Sequence, residues 1–226
     1  MGSMLKNKHI LVTHADRFMG PALCEVLALE GARITASCDG LLSPEEVGRV
    51  VEVCGPLDAL VLNLACAAPT SSATTAGDEE WRQTFSTLVD PLPWVMRAVL
   101  PQMVERRRGK VVLMGSASAL RGMKRASTYS AARGAQLAYV QAVGVEMAQH
   151  NVQVNAIAQN FVDNPTYFPP EVQANPKFQD RLQREVPLGR LVSAREDAMF
   201  AAYLCSEASD CFVGQVFPMC GGWVPR

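Results

Sequence analysis

Three residues have the types and the spacing to do chemistry on a hydroxyl group. Ser116 closes the apolar run KVVLMGS (110–116), while Tyr129 and Arg133 stand four apart in YSAAR at the start of a long helical pattern. Positions i and i+4 of a helix share one face, with Cβ atoms about 5–6 Å apart. A guanidinium on that face favours a tyrosine's phenolate over its phenol. Free tyrosine titrates near pH ~10, and each unit of depression corresponds to ~1.4 kcal/mol of charge stabilisation. A phenolate accessible near neutral pH is a general base, and Ser116 is placed to hold the oxygen that gives up the proton. Alone, the Tyr-x-x-x-Arg spacing arises by chance and better suits a packed tyrosine beside a solvated arginine. The strand-end serine and the surrounding α/β pattern turn the reading toward a site.

Those residues need a frame, and the pattern of apolar runs supplies one. HILVTH (9–14), ARITAS (32–37), ALVLNL (59–64), KVVLMGS (110–116), VQVNAIA (152–158) and GQVFPMC (214–220) read as strands. Residues 19–30, 44–54, 79–105, 127–149 and 194–207 read as helices. Helices linking buried apolar strands imply a parallel sheet covered on both faces, a Rossmann-like doubly wound α/β domain spanning residues 1–226. Residues 1–3 read as an appended leader ahead of Met4. Two loops leave the carboxyl ends of strands, where open α/β sheets place ligands. They are ACAAPTSSATTAG (65–77) and QNFVDNPTYFPPEVQANP (159–176), the second rich enough in proline and aromatic residues to hold a fixed shape.

Composition excludes several classes of partner. With 21 basic and 22 acidic residues and no basic run, the chain is not built for nucleic acid or a membrane surface. No apolar run reaches the roughly 18–20 residues of a membrane span and no signal peptide opens the chain, so a cytoplasmic protein is expected. The seven cysteines are scattered and read as reduced thiols, mostly in the core, and three histidines make a histidine-based metal site improbable.

The stretches GSASALRGMKRASTYSAAR, RAVLPQM, VNAIA and GQVFPMCGGW resemble the short-chain dehydrogenase/reductase superfamily over nearly the whole length. That superfamily pairs Ser and Tyr with Lys and carries a TGxxxGxG turn for NAD(P). Here Arg133 stands at the lysine position, and His14 and Phe18 at the first two turn glycines. The Asn-Asn-Ala-Gly stretch has become Leu62, Asn63, Leu64 and Ala65, and Pro-Gly after the fifth strand has become Gln159 and Asn160. Turn glycines let the backbone approach a pyrophosphate, and Phe18 puts a ring into that space. The stretch between the second and third strands fits a single helix, so the second crossover is shortened and the excursion that flanks adenosine is missing. No dinucleotide, no other cofactor and no metal is therefore expected.

Within that superfamily, VTHADRFMG, NFVDNPTYFPP and VPLGRL, together with the Ser-Tyr-Arg set, resemble the halohydrin dehalogenases, which turn the nicotinamide space into a halide pocket. The resemblance makes Ser116, Tyr129 and Arg133 catalytic and lines the halide site with Phe18, Gln159, Asn160, Phe161, Val162 and Tyr167. It implies cofactor-independent closure of vicinal haloalcohols to epoxides, and the reverse opening of epoxides by azide, cyanide or nitrite. The halide would leave into a nest of backbone N–H groups and aromatic edges. A homotetramer built on helices 79–105 and 127–149 is expected. An NAD(P)-dependent oxidoreductase and a non-catalytic binding module on the same fold are the alternatives. Outside the site, His14 reads as a turn residue capping backbone groups, Asp39 as a solvated turn aspartate, and Asp163 as a loop-surface residue. Trp81 and Trp94 read as packing residues.

Overall fold

The computed structural model describes residues 3–224, so Met1 and Gly2 of the expected leader lie outside the described residues. All six expected strands form: β1 (His9–Val12), β2 (Arg33–Ala36), β3 (Ala59–Leu62), β4 (Gly109–Ser116), β5 (Val152–Gln159) and β6 (Val216–Met219). They pair in parallel in the order β2-β1-β3-β4-β5-β6. The two central strands β3 and β4 are buried along their whole length, which is why they read as unbroken apolar runs. Edge strands β2 and β6 are partly exposed.

Helices cover both faces, giving one core cluster around Leu60, Leu62, Val99, Leu113 and Val140 and a second around Ile10, Val12, Leu23, Val61 and Ala201. Helix α1 (Gly20–Leu29) follows β1 and α2 (Pro44–Cys54) is the single crossover helix between β2 and β3. The chain reverses direction across the sheet after β2, so β1 and β3 flank the switch point at whose carboxyl side α/β sheets bind ligands.

The helix expected over 79–105 is two helices, α3 (Asp78–Leu88) and α4 (Pro91–Glu105). Pro91 has no N–H to carry the ladder onward, so the first helix stops and a second begins with proline in its first turn. The loop at 159–176 is also more ordered than expected. It contains the short α6 (Pro170–Gln173) and runs into α7 (Pro176–Glu185), which Asn175 caps by accepting from the Lys177 N–H at 2.9 Å. Its fixed shape comes from ring contacts: Phe168 lies 6.1 Å from Phe161 and 5.4 Å from Phe178, centroid to centroid.

Helix α5 (Ser127–Ala148) carries the chemistry and explains its own placement. Its buried residues, Tyr129, Ala132, Arg133, Gln136, Leu137, Val140 and Gly144, recur at three- and four-residue intervals and form one stripe against the sheet. Tyr129 and Arg133 occupy the first turns of that stripe, so they face the carboxyl edge of the sheet and not solvent. Helix α8 (Ala194–Cys205) closes the other face, and a capping box between Ser193 and Glu196 starts it.

Gly144 lets α5 sit backbone to backbone on the β5–β6 connection, because a Cβ there would lie 2.5 Å from Gly214 Cα and 2.7 Å from Val154 O. Gly144→Ala gains about 1 kcal/mol of helix propensity but meets backbone that cannot swing aside. Overpacking costs about 1–3 kcal/mol, and a clash with three backbone atoms puts this substitution at the upper end, which outweighs the gain. The net effect is a melting temperature lower by roughly 2–4 °C per kcal/mol lost, and an unchanged thermal unfolding curve would refute the close approach.

Candidate active site

Ser116 ends β4 with its Oγ 2.9 Å from Ser118 Oγ and accepting from the Ser118 N–H at 3.2 Å. The turn that follows the strand therefore fixes the hydroxyl. Arg133 is buried at 4% exposure and all its partners are neutral. Its Nη1 donates to Leu64 O (2.9 Å), Met114 O (3.1 Å) and Gln136 Oε1 (2.8 Å), and its Nε is buried without a partner. Gln136 in turn donates to Leu88 O at 2.6 Å. The guanidinium carbon stands 5.0 Å from the Tyr129 ring centroid, the shared face expected from the four-residue spacing. A buried charge held only by neutral dipoles costs several kcal/mol, and any anion formed or bound beside it offsets that cost.

Two tyrosines meet here and their roles separate physically. The Tyr167 hydroxyl donates to Cys66 O (2.8 Å) and accepts from the Ala68 N–H (3.2 Å), tying loop 159–176 to loop 65–77. Burial first, then the neighbouring Tyr129 hydroxyl, push the Tyr167 phenol above its ordinary value. Tyr167 is thus a neutral strut, and Tyr129 is the tyrosine stacked on a guanidinium.

The cavity between these elements measures about 420 Å³. Every site residue expected from the sequence lines it: Phe18, Ser116, Tyr129, Arg133, Gln159, Asn160, Phe161, Val162 and Tyr167. Its described lining includes two guanidinium groups, Arg133 and Arg181, and no carboxylate. Arg181, on α7, lies 5.2 Å above the Phe161 ring and pairs through Nε with Glu185 at 3.1 Å. The sequence reading missed Arg181, since nothing in the pattern of α7 distinguishes its pocket side from its solvent side. It also missed Asp197, a polar residue on the apolar face of α8 whose Oδ2 accepts from Gln159 Nε2 at 2.6 Å.

The expected nest of backbone N–H groups is largely taken up after β5, where among the described residues only the Val162 N–H, of the four from Asn160 to Asp163, has no acceptor. The Asn160 N–H donates to Met219 O, the Phe161 N–H to Asn160 Oδ1, and the Asp163 N–H to Val192 O. Those donors are consumed by sheet continuation and by a local turn in which Phe161 adopts a φ of 52°. The unpartnered buried side-chain donor in this segment is Nδ2 of Asn160.

The turn after β1 does not fit a dinucleotide. His14 and Phe18 hold φ values of 44° and 49°, the left-handed backbone that glycine would adopt without strain. Phe18 fills the space with a ring 5.7 Å from the Tyr167 ring. Asn63, at the end of β3, donates to the carbonyls of His14 (3.1 Å) and Arg17 (3.2 Å), stitching the turn across the sheet. Beyond β2 the sheet carries no further strand among the described residues. The expected capping role of the His14 side chain is not met, for both ring nitrogens are buried without partners and burial lowers its pKa. Asp39 is exposed and accepts from Ser37 Oγ at 2.7 Å, and Asp163 accepts from Gln173 at 2.8 Å. Trp81 is 48% exposed and stacks 4.3 Å from Phe85 of its own helix, so it is not a core residue. The cysteines are free, with Cys54, Cys205 and Cys220 buried and Cys38 and Cys211 exposed. Among the described residues no helix is long and apolar enough to cross a membrane.

A parallel six-stranded sheet with a Ser-Tyr-Arg cluster at its carboxyl edge defines a Rossmann-like enzyme scaffold. Residues 44–224 match the family model described as enoyl-(acyl carrier protein) reductase, and the chain belongs to the short-chain dehydrogenase/reductase superfamily. It is 30% identical to the 2-keto-3-deoxy-L-fuconate dehydrogenase of Xanthomonas campestris, over 95% of this chain and 71% of that one. Other curated relatives are likewise reductases. Among solved structures it is similar to a dehalogenation enzyme, with a TM-score of 0.92 and 29% identity over 98% of this chain and 100% of that chain. A halohydrin dehalogenase bound to ethyl (2S)-oxiran-2-ylacetate aligns with a TM-score of 0.87 and 25% identity, over 95% and 96% of the two chains.

Removing the strut tests how the pocket is held. Tyr167→Phe keeps the ring against Phe18 but leaves the Cys66 carbonyl and the Ala68 N–H without their partner. Such a loss costs about 1–3 kcal/mol. The urea midpoint should fall accordingly, and a midpoint equal to wild type would show that the hydroxyl bridges nothing.

Proposed function

We propose that the protein is a halohydrin dehalogenase, converting vicinal haloalcohols to epoxides and halide without a cofactor and opening epoxides with small anions in reverse. The carrying observation is Arg133, a buried guanidinium with neutral partners only, beside Tyr129 and facing a pocket without a lining carboxylate. That environment suits negative charge formed or bound beside the guanidinium. In the forward reaction the Tyr129 phenolate takes the proton of the substrate hydroxyl while Ser116 donates a hydrogen bond to the same oxygen. The alkoxide oxygen then forms its second C–O bond at the neighbouring carbon, and the C–halogen bond breaks with its electron pair leaving on the halide. Phe18, Asn160 and Tyr167 stand where that halide would be received, with the Asn160 amide as donor and the rings as a weakly hydrating wall. The charge of Arg133 favours the anion that forms after the proton transfer.

The curated relatives favour a second reading, an NAD(P)-dependent reductase that uses the same serine and tyrosine for proton transfer. The turn at His14 and Phe18 argues against it. Both readings meet in one pair of measurements. Halide release from a simple bromo-alcohol without added cofactor supports the dehalogenase, as does failure of NADH or NADPH to bind at micromolar concentration. Micromolar dinucleotide affinity without halide release would replace it with the reductase, and neither activity would leave a binding module. We also propose a homotetramer built on α3, α4 and α5, and a monomeric mass in light scattering would overturn it.

Tyr129→Phe keeps the ring over Arg133 and removes only the base. Loss of a general base costs about 100- to 10,000-fold in rate, so cofactor-free halide release should fall by at least two orders of magnitude. A Tyr129→Phe enzyme of near wild-type rate would remove Tyr129 from the mechanism.

A further inference from the structure

We infer that Asp197 is a positioning residue which sets the end of the Gln159 amide presented to the pocket, so that anion binding there takes up a proton. The inference rests on the pocket being an anion site, as proposed above. Asp197 lies on the first turn of α8 and is fully buried. Its Oδ2 accepts from Gln159 Nε2 at 2.6 Å, and its Oδ1 is buried with no partner at all. Gln159 lines the cavity, with Asn160 next to it, whose Nδ2 also lacks a partner. One amide thus stands between a desolvated carboxyl group and the place where an anion would sit.

The surroundings leave that carboxyl little else to respond to. The cluster that contains the apolar face of α8 is built from Met19 and Leu23 on the α1 side, Val61 of β3, Val112 and Met114 of β4, Ile157 of β5, and Val162 and Val192. The titratable groups on these elements are His14, Asp16 and Arg17 in the turn before α1, Cys24 and Glu25 on α1, and Lys110 on β4. On α8 itself they are Arg195, Glu196, Tyr203 and Cys205, with Glu207 and Asp210 in the turn after it. None of them acts on Asp197, whose one polar influence is Gln159. Glu196 faces outward and is held by Arg190 at 2.8 Å, and Lys110 is paired with Asp210 at the opposite edge of the sheet. Burial pushes the Asp197 carboxyl up to about 7, within the range in which an enzyme works.

The two protonation states make opposite demands on Gln159. An ionised carboxylate only accepts, so it holds the amide by Nε2 and leaves Oε1, an acceptor, as the free end. A protonated carboxyl donates through its O–H to Oε1, and the amide, whose two ends are nearly the same size, turns over. Its NH₂ is then free to donate to an anion beside Asn160, and the negative charge behind the pocket is gone. The proton comes from solvent, and no covalent bond to substrate is involved.

Calorimetric titration with bromide near pH 7.5, in two buffers of different ionisation enthalpy, reads the coupling directly. Wild type should take up a fraction of a proton, at most one, per bromide bound, and affinity should fall with a limiting slope of about tenfold per pH unit above pH 7. Asp197→Asn, which cannot ionise and can always donate to Gln159 Oε1, should bind bromide with little dependence on pH between 6 and 8.5. Gln159→Met, which has no amide donor at any pH, should bind bromide more weakly than wild type at pH 6 and should lose the rise in affinity from pH 8.5 to 6. Bromide binding by wild type without proton uptake overturns the assignment, whether or not Asp197→Asn folds, and so does an Asp197→Asn enzyme that keeps the wild-type pH dependence. Either result leaves the dehalogenase reading intact if halide is still released from a bromo-alcohol. Absence of both bromide binding and halide release removes that reading and this inference with it.

Discussion

A guanidinium buried without a carboxylate is the constraint around which the site is arranged. Arg133 is held by Leu64 O just past β3, Met114 O on β4 and Gln136 one turn further along its own helix. Gln136 extends the tie to Leu88 O at the end of α3. One side chain therefore joins two central strands and two helices at the carboxyl edge of the sheet. Among the described residues no carboxylate neutralises its charge. Retaining a desolvated cation against a penalty of several kcal/mol makes physical sense where the chemistry generates or receives negative charge beside it.

The rest of the pocket follows from that unmet charge. Tyr129 packs its ring 5.0 Å from the guanidinium carbon. Tyr167, pushed toward its neutral form by burial and by its neighbour, is consumed in holding two loops together. Non-glycine residues at 14 and 18 keep the backbone shape of a glycine-rich turn while filling the space such a turn would leave open. Each left-handed residue costs of order 1–3 kcal/mol, and Asn63 is the tie across the sheet that helps to hold them. The scaffold of a dinucleotide-binding fold thus persists with its phosphate cradle filled by side chains. After β5 the backbone N–H groups of Asn160, Phe161 and Asp163 are already committed, which leaves the Asn160 side-chain amide and the Val162 N–H without partners among the described residues.

All six strands, the parallel two-faced sheet and the grouping of Ser116 with Tyr129 and Arg133 were legible in the sequence, because strand ends and a four-residue helical spacing are local properties, whereas the other six pocket residues came from the resemblance to the halohydrin dehalogenases. Helix 79–105 was misread as continuous since its apolar pattern runs on through Pro91, and only the missing N–H ends α3. Helices α6 and α7 were hidden because α6 is only four residues long and α7, mostly polar with Phe178 and Leu182 alone buried, follows a proline-rich loop and starts where Asn175 caps it. Which donors remained free after β5 was not legible at all. That depended on Met219 and Val192 arriving from distant parts of the chain to accept the N–H groups of Asn160 and Asp163. The same holds for the contacts of Arg181 and Asp197, one on the rim of the pocket and one behind its wall. By itself the sequence determined the fold class and the Ser-Tyr-Arg cluster, through patterns a few residues long. Only the tertiary structure decided which polar groups are buried without partners, because burial and pairing are settled by segments that meet across the sheet and not along the chain.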